Sequence, residues 1–209
     1  MANSVIIGID VGLTGGISIF EDNDSLPLVY KMPVKKITVN KKNKNVYDMV
    51  SIVDILDKYK NKDVLYFIEK QGVRPGEGAV SAMTIGKGFG QLLGAAYAFK
   101  FKIIEVTPQS WKKHFPELIT DDMLEIKGEM KILRALAKEL KDKESKKENK
   151  KQVDKLGREF KSLAKTEARK LVSKIYPELA HLFEKKNSDG LAESLLIAIF
   201  GKSTQNELI

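Results

Sequence analysis

Twelve residues near the amino terminus constrain the fold more than any other stretch: Val5-Ile6-Ile7-Gly8-Ile9-Asp10-Val11-Gly12-Leu13-Thr14-Gly15-Gly16. The opening apolar run is short and β-branched, which reads as a buried strand. It ends in a carboxylate, and a second apolar run, Ile17-Ser18-Ile19-Phe20, follows the glycines. A carboxylate at the end of a buried strand is costly unless something pairs with its charge. The glycines let the chain turn tightly and bring backbone close to whatever occupies the site. No basic residue lies in Gly8–Gly12 to pair with Asp10. Asp10 is therefore a candidate first ligand of a metal site.

The residues that the chain lacks narrow the chemistry. It has no cysteine and two histidines, His114 and His181, which leaves little material for a zinc centre. A metal here would be held by oxygen, which points to Mg²⁺ or Mn²⁺. The absence of cysteine fits a reducing compartment. No apolar stretch is long enough to span a bilayer, and no secretory leader is evident, so a cytoplasmic location is expected. The net charge of +8 and pI near 9.4 fit a polyanion-binding protein, and equally a soluble protein that is merely rich in lysine.

Residues 1–209 read as a single α/β domain with a charged helical insertion at about 116–163. Residues 5–10 and 16–20 form a strand hairpin, 28–32 a third strand, 64–69 and 102–106 two more. Residues 35–45 are polar and lysine-rich and read as an exposed loop. The spacing of Val46, Met49, Val50, Val53, Ile55, Leu56 and Tyr59 predicts an amphipathic helix. A long helix follows over about 79–100 and contains Gly86, Gly88, Gly90 and Gly94. Each glycine weakens a helix by roughly 1 kcal/mol, so four of them suggest close approach to a neighbour. Thr107-Pro108 is a helix start. Within the insertion, Leu124, Ile126, Met130, Ile132, Leu133, Leu136 and Leu140 suggest an apolar stripe. Residues 141–151 are nearly all charged and read as a solvated tip between two helices. Separate helices are expected over 165–176 and 189–200.

Glu69 closes a second buried strand, and Asp189 opens the last helix. If the strands are neighbours, Asp10 and Glu69 emerge at one sheet edge, and the start of that helix can lie against it. Three converging acids repel unless divalent cations bind between them, and such ions activate water for phosphodiester hydrolysis. Each acid also has a purely structural reading. Asp189 is either a ligand or a helix cap, and Glu69 either a ligand or a lysine partner. Glu193, one helical turn beyond Asp189, is either a fourth ligand or a lysine partner.

The order and spacing of four motifs resemble the RuvC family of Holliday-junction resolvases, within the RNase H-like superfamily, and particularly its phage and viral branch. They are Gly8–Gly16; Phe67-Ile68-Glu69-Lys70 with Pro75–Gly78 and Gly86–Gly90; Thr107–Lys112; and Asp189-Gly190-Leu191-Ala192-Glu193-Ser194. The resemblance implies an RNase H-like mixed five-stranded sheet flanked by helices, with three antiparallel strands followed by two parallel ones. It implies a homodimer that cuts branched DNA, a four-way junction, by paired nicks using Mg²⁺ or Mn²⁺. Asp10, Glu69 and Asp189 match the family's metal ligands. Many members carry another acid or a histidine three residues before the helix-start aspartate, where this chain has Lys186; Glu193 is the substitute expected here, with Glu184 the alternative. Lys70, Gln71, Arg74, Lys87 and Phe89 are implied DNA contacts. On charge grounds Lys112, Lys113, Lys165 and Arg169 are phosphate partners.

Three rivals are open at this point. Glycine-rich, Asp-containing hairpins also begin sugar kinases and chaperone ATPases, although those use two such domains and the chain has no phosphate-binding P-loop. A non-catalytic binding relative and a nuclease specific for flaps or forks are the others.

Overall fold

The computed structural model describes residues 4–22, 26–72 and 76–205. Strands β1 (Val5–Asp10), β2 (Gly16–Phe20) and β3 (Leu28–Lys31) form an antiparallel meander. Strands β6 (Val64–Glu69) and β7 (Lys102–Val106) extend it in parallel from β1. The resulting order is β3-β2-β1-β6-β7, the expected five-stranded mixed sheet of three antiparallel strands followed by two parallel ones.

Side-chain alternation divides this sheet between two cores. Val5, Ile7 and Ile9 of β1, with Val64, Tyr66 and Ile68 of β6, face helices α1 (Met49–Asp57) and α2 (Ala79–Ala98). Ile52, Leu56, Leu92 and Ala96 seal that side. Ile6 of β1, with Leu65 and Phe67 of β6, faces the other way, against helix α6 (Asp189–Thr204). Asp10 and Glu69 continue this second set at intervals of two, so both belong to the α6 face.

Helix α6 is apolar on nearly every side, as expected of a helix enclosed by its neighbours. It lies against β1 and β2 because glycine removes the side chains between them. A Cβ on Gly8 would stand 2.4 Å from the Ala198 nitrogen, and one on Gly190 would collide with the Thr14 carbonyl. The register is also pinned by a buried hydroxyl pair, Ser18 Oγ and Ser194 Oγ, at 2.8 Å; Ser194 donates onward to the Leu191 carbonyl at 2.9 Å.

Three expectations change. Residues 35–45 are not a loop but an exposed hairpin, β4 (Val34–Val39) and β5 (Lys42–Tyr47). Its turn residues, Asn40 and Lys41, both have positive φ, 52° and 60°, as a tight two-residue hairpin turn requires. Val46 and Tyr47 belong to this ribbon, so α1 begins only at Met49. The charged segment after residue 142 is helical as well. Following α4 (Asp121–Glu139), a single helix α5 runs from Lys143 to Ile175, capped by Asp142, whose Oδ1 accepts from the Ser145 nitrogen at 2.7 Å. No proline interrupts it, so the helix expected over 165–176 is its carboxyl-terminal part. The apolar stripe of α4 is Met123, Ile126 and Met130, all buried, while Leu124, Ile132 and Leu136 are exposed.

Helix α3 (Pro108–Lys113) begins as its sequence predicts, with Thr107 Oγ1 accepting from the Ser110 nitrogen at 3.2 Å. Trp111 anchors it and is fully buried. Among the described residues, no helix is long and apolar enough to cross a membrane.

Candidate active site

Parallel pairing of Ile9 with Ile68 brings the next residues, Asp10 and Glu69, side by side at the ends of β1 and β6. They emerge on the face covered by α6. The contact of Gly190 with the Thr14–Gly15 turn holds the start of that helix at the same edge. Asp189 and Glu193, one turn apart, therefore project from the helix start closest to Asp10.

Burial pushes the Asp10 carboxyl well above the ordinary carboxylate range. The charges of Glu193 and then Glu69 add to that rise, while Lys112 and Lys165 act against it. Asp10 thus stands in a field made chiefly by two other acids. This is the arrangement in which a cation between carboxylates relieves repulsion.

Glu193 and Asp189 are engaged by basic side chains. Lys112 Nζ, carried on α3, donates to Glu193 Oε1 at 2.9 Å and also lies over the Trp111 ring, 4.8 Å from its centroid. Lys165 Nζ donates to Asp189 Oδ2 at 3.0 Å, and Arg169 Nε lies 3.5 Å from Asp189 Oδ1. Both Lys165 and Arg169 come from α5. The Asp189–Arg169 approach is too long to satisfy either group: Asp189 Oδ1 and Arg169 Nη1 are buried without a hydrogen bond. Asp189 does not serve as a helix cap, because the cap residue is Ser188 and no side-chain cap bond forms.

A divalent ion fits the chemistry of this donor set. Its candidate ligands are carboxylate oxygens, one of them repelled by two others and another holding a buried oxygen without a hydrogen bond. The side-chain placement does not close a cage, however. Among the described residues, no three acidic or histidine side chains are grouped to hold a metal ion. Lys112, Lys165 and Arg169 would have to yield Glu193 and Asp189 for such a group to form. Lys186 and Glu184, near the point where the motif departs from the family pattern, are exposed.

Next to Asp10 lies an open cleft of about 790 Å³ between the Val11–Thr14 turn, the β4–β5 ribbon and α2. Gln71, Lys87, Met83 and Tyr47 line it, as do Lys35 and Lys44 from the ribbon. Gln71 is oriented by its own Nε2, which donates to the Glu69 carbonyl at 3.3 Å. Lys70 is exposed and lies 3.9 Å from Glu105. Lys113 is exposed, and Phe89 is half-buried against the α2-side core. Arg74, with Val73 and Pro75, lies outside the described residues. His114 is structural: Nε2 meets Ser203 Oγ at 3.1 Å and the ring packs edge-on to Phe115 and Phe200.

Sequence reasoning missed Tyr47. Its ring fills the space over Gly88, where a Cβ would lie 2.5 Å from it, and its oxygen accepts a hydrogen bond from the Gly12 backbone. Burial, reinforced by the Asp10 charge, raises its hydroxyl to about 12. The ribbon thereby clamps the turn that follows Asp10. The close approach expected of four α2 glycines is realised within the chain only at Gly88 among them; nothing described lies within 4 Å of a Cβ at Gly86, Gly90 or Gly94.

No protein-family model matches the sequence, and no curated protein matches it. Among solved structures, the chain is similar to Thermus thermophilus RuvC in complex with a Holliday junction substrate. Identity is 12% over 98% of this chain and 96% of that one, with a TM-score of 0.49. It is also similar to a Thermus thermophilus RuvC structure, at 14% identity over 96% of each chain and a TM-score of 0.45. At these identities the side chains of the site have to be read from this chain alone.

Proposed function

We propose that the protein is a divalent-metal-dependent, structure-selective DNA endonuclease that resolves four-way junctions by paired symmetric nicks, acting as a homodimer in the cytoplasm. The observation that carries this reading is the strand-end pair Asp10 and Glu69 facing Glu193, with Asp10 raised by burial and by both neighbours. Asp10, Glu69 and Asp189 would hold Mg²⁺ or Mn²⁺, with Glu193 as the fourth acid. The bound ions would supply an activated water and stabilise the leaving oxygen of the phosphodiester. Lys112 and Lys165, now turned to Glu193 and Asp189, would meet a phosphate at the same edge. Lys70, Gln71, Arg74, Lys87, Phe89 and Lys113 are the further DNA contacts of this reading, which orient the backbone rather than read bases. An exposed face of α2 supports self-association: Val80 and Met83 are 82% and 78% exposed, and Gly86, Gly90 and Gly94 beyond them meet nothing described.

The ion pairs favour a second reading, a junction-binding protein that does not cut. With Glu193 and Asp189 held by lysine and arginine, the acids would be structural. Incubating the protein with labelled four-way junction, fork, flap and linear duplex, with Mg²⁺ or Mn²⁺, separates these readings. Paired nicks confined to the junction and absent with Asp10→Asn are expected. Cutting of forks or flaps instead would change the substrate, and binding without cutting would favour the second reading.

A further inference from the structure

Helix α5 carries twelve basic side chains against five acidic ones, close to the whole net charge of the chain. They are not spread evenly. Lys147, Lys151, Arg158, Lys161, Lys165 and Arg169 recur at intervals that place them along one side of the helix, interrupted only by Asp154 in that row. The opposite side packs on α4: Asn149 Nδ2 donates to the Leu133 carbonyl at 3.0 Å, and Gly157 lies beside the Met130 sulfur. Val153, Leu156 and Phe160 on that side are half-buried, whereas Lys147, Lys151, Arg158 and Lys161 are exposed. Among the described residues, Lys151 pairs within its own helix, with Glu148 at 3.2 Å.

The row has a fixed starting point. Its last two members, Lys165 and Arg169, are the residues that reach Asp189 in the candidate site. From Lys165 back to Lys147 the helix covers about 27 Å, at ~1.5 Å per residue. A surface that presents cations at every turn but that of Asp154 over this distance complements a duplex backbone, which carries one negative charge per ~1.7 Å of its axis.

We propose that the basic side of α5 is a docking rail for one duplex arm of the DNA, guiding it outward from the candidate site along the α4–α5 hairpin. The inference rests on the DNA-binding part of the function proposed above and is independent of cutting. The hairpin acts through phosphates, so it binds without sequence preference and lengthens the footprint on an arm. Its shape supports this role: α4 buttresses α5 from behind and leaves the cationic side open.

The test is binding in EDTA, so that cleavage plays no part. The probes are four-way junctions with arms of about 25 bp and of about 6 bp, the latter too short to cover the rail. The variant Lys147→Gln/Lys151→Gln/Arg158→Gln/Lys161→Gln removes four charges while keeping good helix formers, and circular dichroism checks its helicity. A second variant, Lys58→Gln/Lys60→Gln/Lys62→Gln/Lys100→Gln, removes four charges at the opposite end of the sheet. The rail variant is expected to lose at least about tenfold in affinity for the long-armed junction. Its salt slope should fall by about 3 to 4, and it should bind the short-armed junction as the parent does. Equal losses from both variants, or an unchanged salt slope in the rail variant, would overturn the proposal. So would selective loss of binding to anionic phospholipid vesicles with DNA affinity intact. A parent protein that cuts no DNA, yet shows the arm-length effect, would refute the nuclease and keep the rail.

Discussion

Replacing Gly8 with alanine tests how the candidate site is assembled. The new Cβ would lie 2.4 Å from the Ala198 nitrogen and 2.5 Å from the Ser194 carbonyl oxygen, both backbone atoms of α6. Backbone cannot swing aside, so α6 must retreat by about 1 Å to restore an ordinary contact. Overpacking of this kind costs about 1–3 kcal/mol. Alanine recovers about 0.4–1 kcal/mol by restricting the unfolded chain, so the loss wins and the variant is destabilised by about 1–2 kcal/mol. The same shift carries Asp189 and Glu193 away from Asp10, and a displacement of that size costs about a hundredfold in rate. Urea denaturation reads the first effect, and single-turnover cleavage of a four-way junction reads the second. Gly128→Ala is the control, because nothing lies within 4 Å of a Cβ there and the residue sits mid-helix in α4. It should stabilise by about 1 kcal/mol. A Gly8→Ala protein as stable as the parent would refute the argument that glycine sets the distance between sheet and helix.

Asp10→Asn should abolish metal-dependent cutting and leave junction binding in place, as gel-shift and cleavage assays on one preparation would show. Because the folded protein raises the Asp10 carboxyl, it binds that proton more tightly than the unfolded chain does, so stability falls as pH rises through the raised value. In EDTA, Asp10→Asn should therefore melt above the parent at neutral pH, with the gap closing below the ordinary carboxylate range; a parent that gains stability over this window would contradict it. Glu193→Gln removes the largest charge effect raising Asp10, so the acid limb of the cleavage profile should move to lower pH. An unmoved limb would separate Glu193 from the reaction. Ser194→Ala leaves the buried Ser18 hydroxyl without its partner and should cost about 1–3 kcal/mol by denaturant titration.

The centre of the main sheet was legible because β1, β2 and β6 are buried and short. Val5–Asp10 and Val64–Glu69 announce themselves by apolar runs that end in acids, and no other element competes for those residues. The β4–β5 ribbon was not legible. It stands away from the core, so its strands show no alternation of apolar and polar residues, and Val46 happens to fall in helical phase with Met49. The continuity of α5 was written in the absence of any proline between Lys143 and Ile175, but its charge hid it. Its amino-terminal part packs on α4 along one side and needs few apolar residues, while Ala168, Leu171 and Val172 join the core only near its end.

The sequence by itself determined which acids end buried strands and which open the last helix, because burial of apolar runs fixes where those strands must stop. Only the tertiary structure decided what the acids meet. Glycine contacts bring α6 onto β1 and set Glu193, rather than Asp189, as the stronger charge on Asp10. Long-range packing turns Lys112 toward Glu193 and Lys165 and Arg169 toward Asp189, across separations of 81 and 24 residues for the two lysine bonds. A carboxylate's environment is the sum of charges within a few ångströms, and these partners come from helices that the linear order keeps apart.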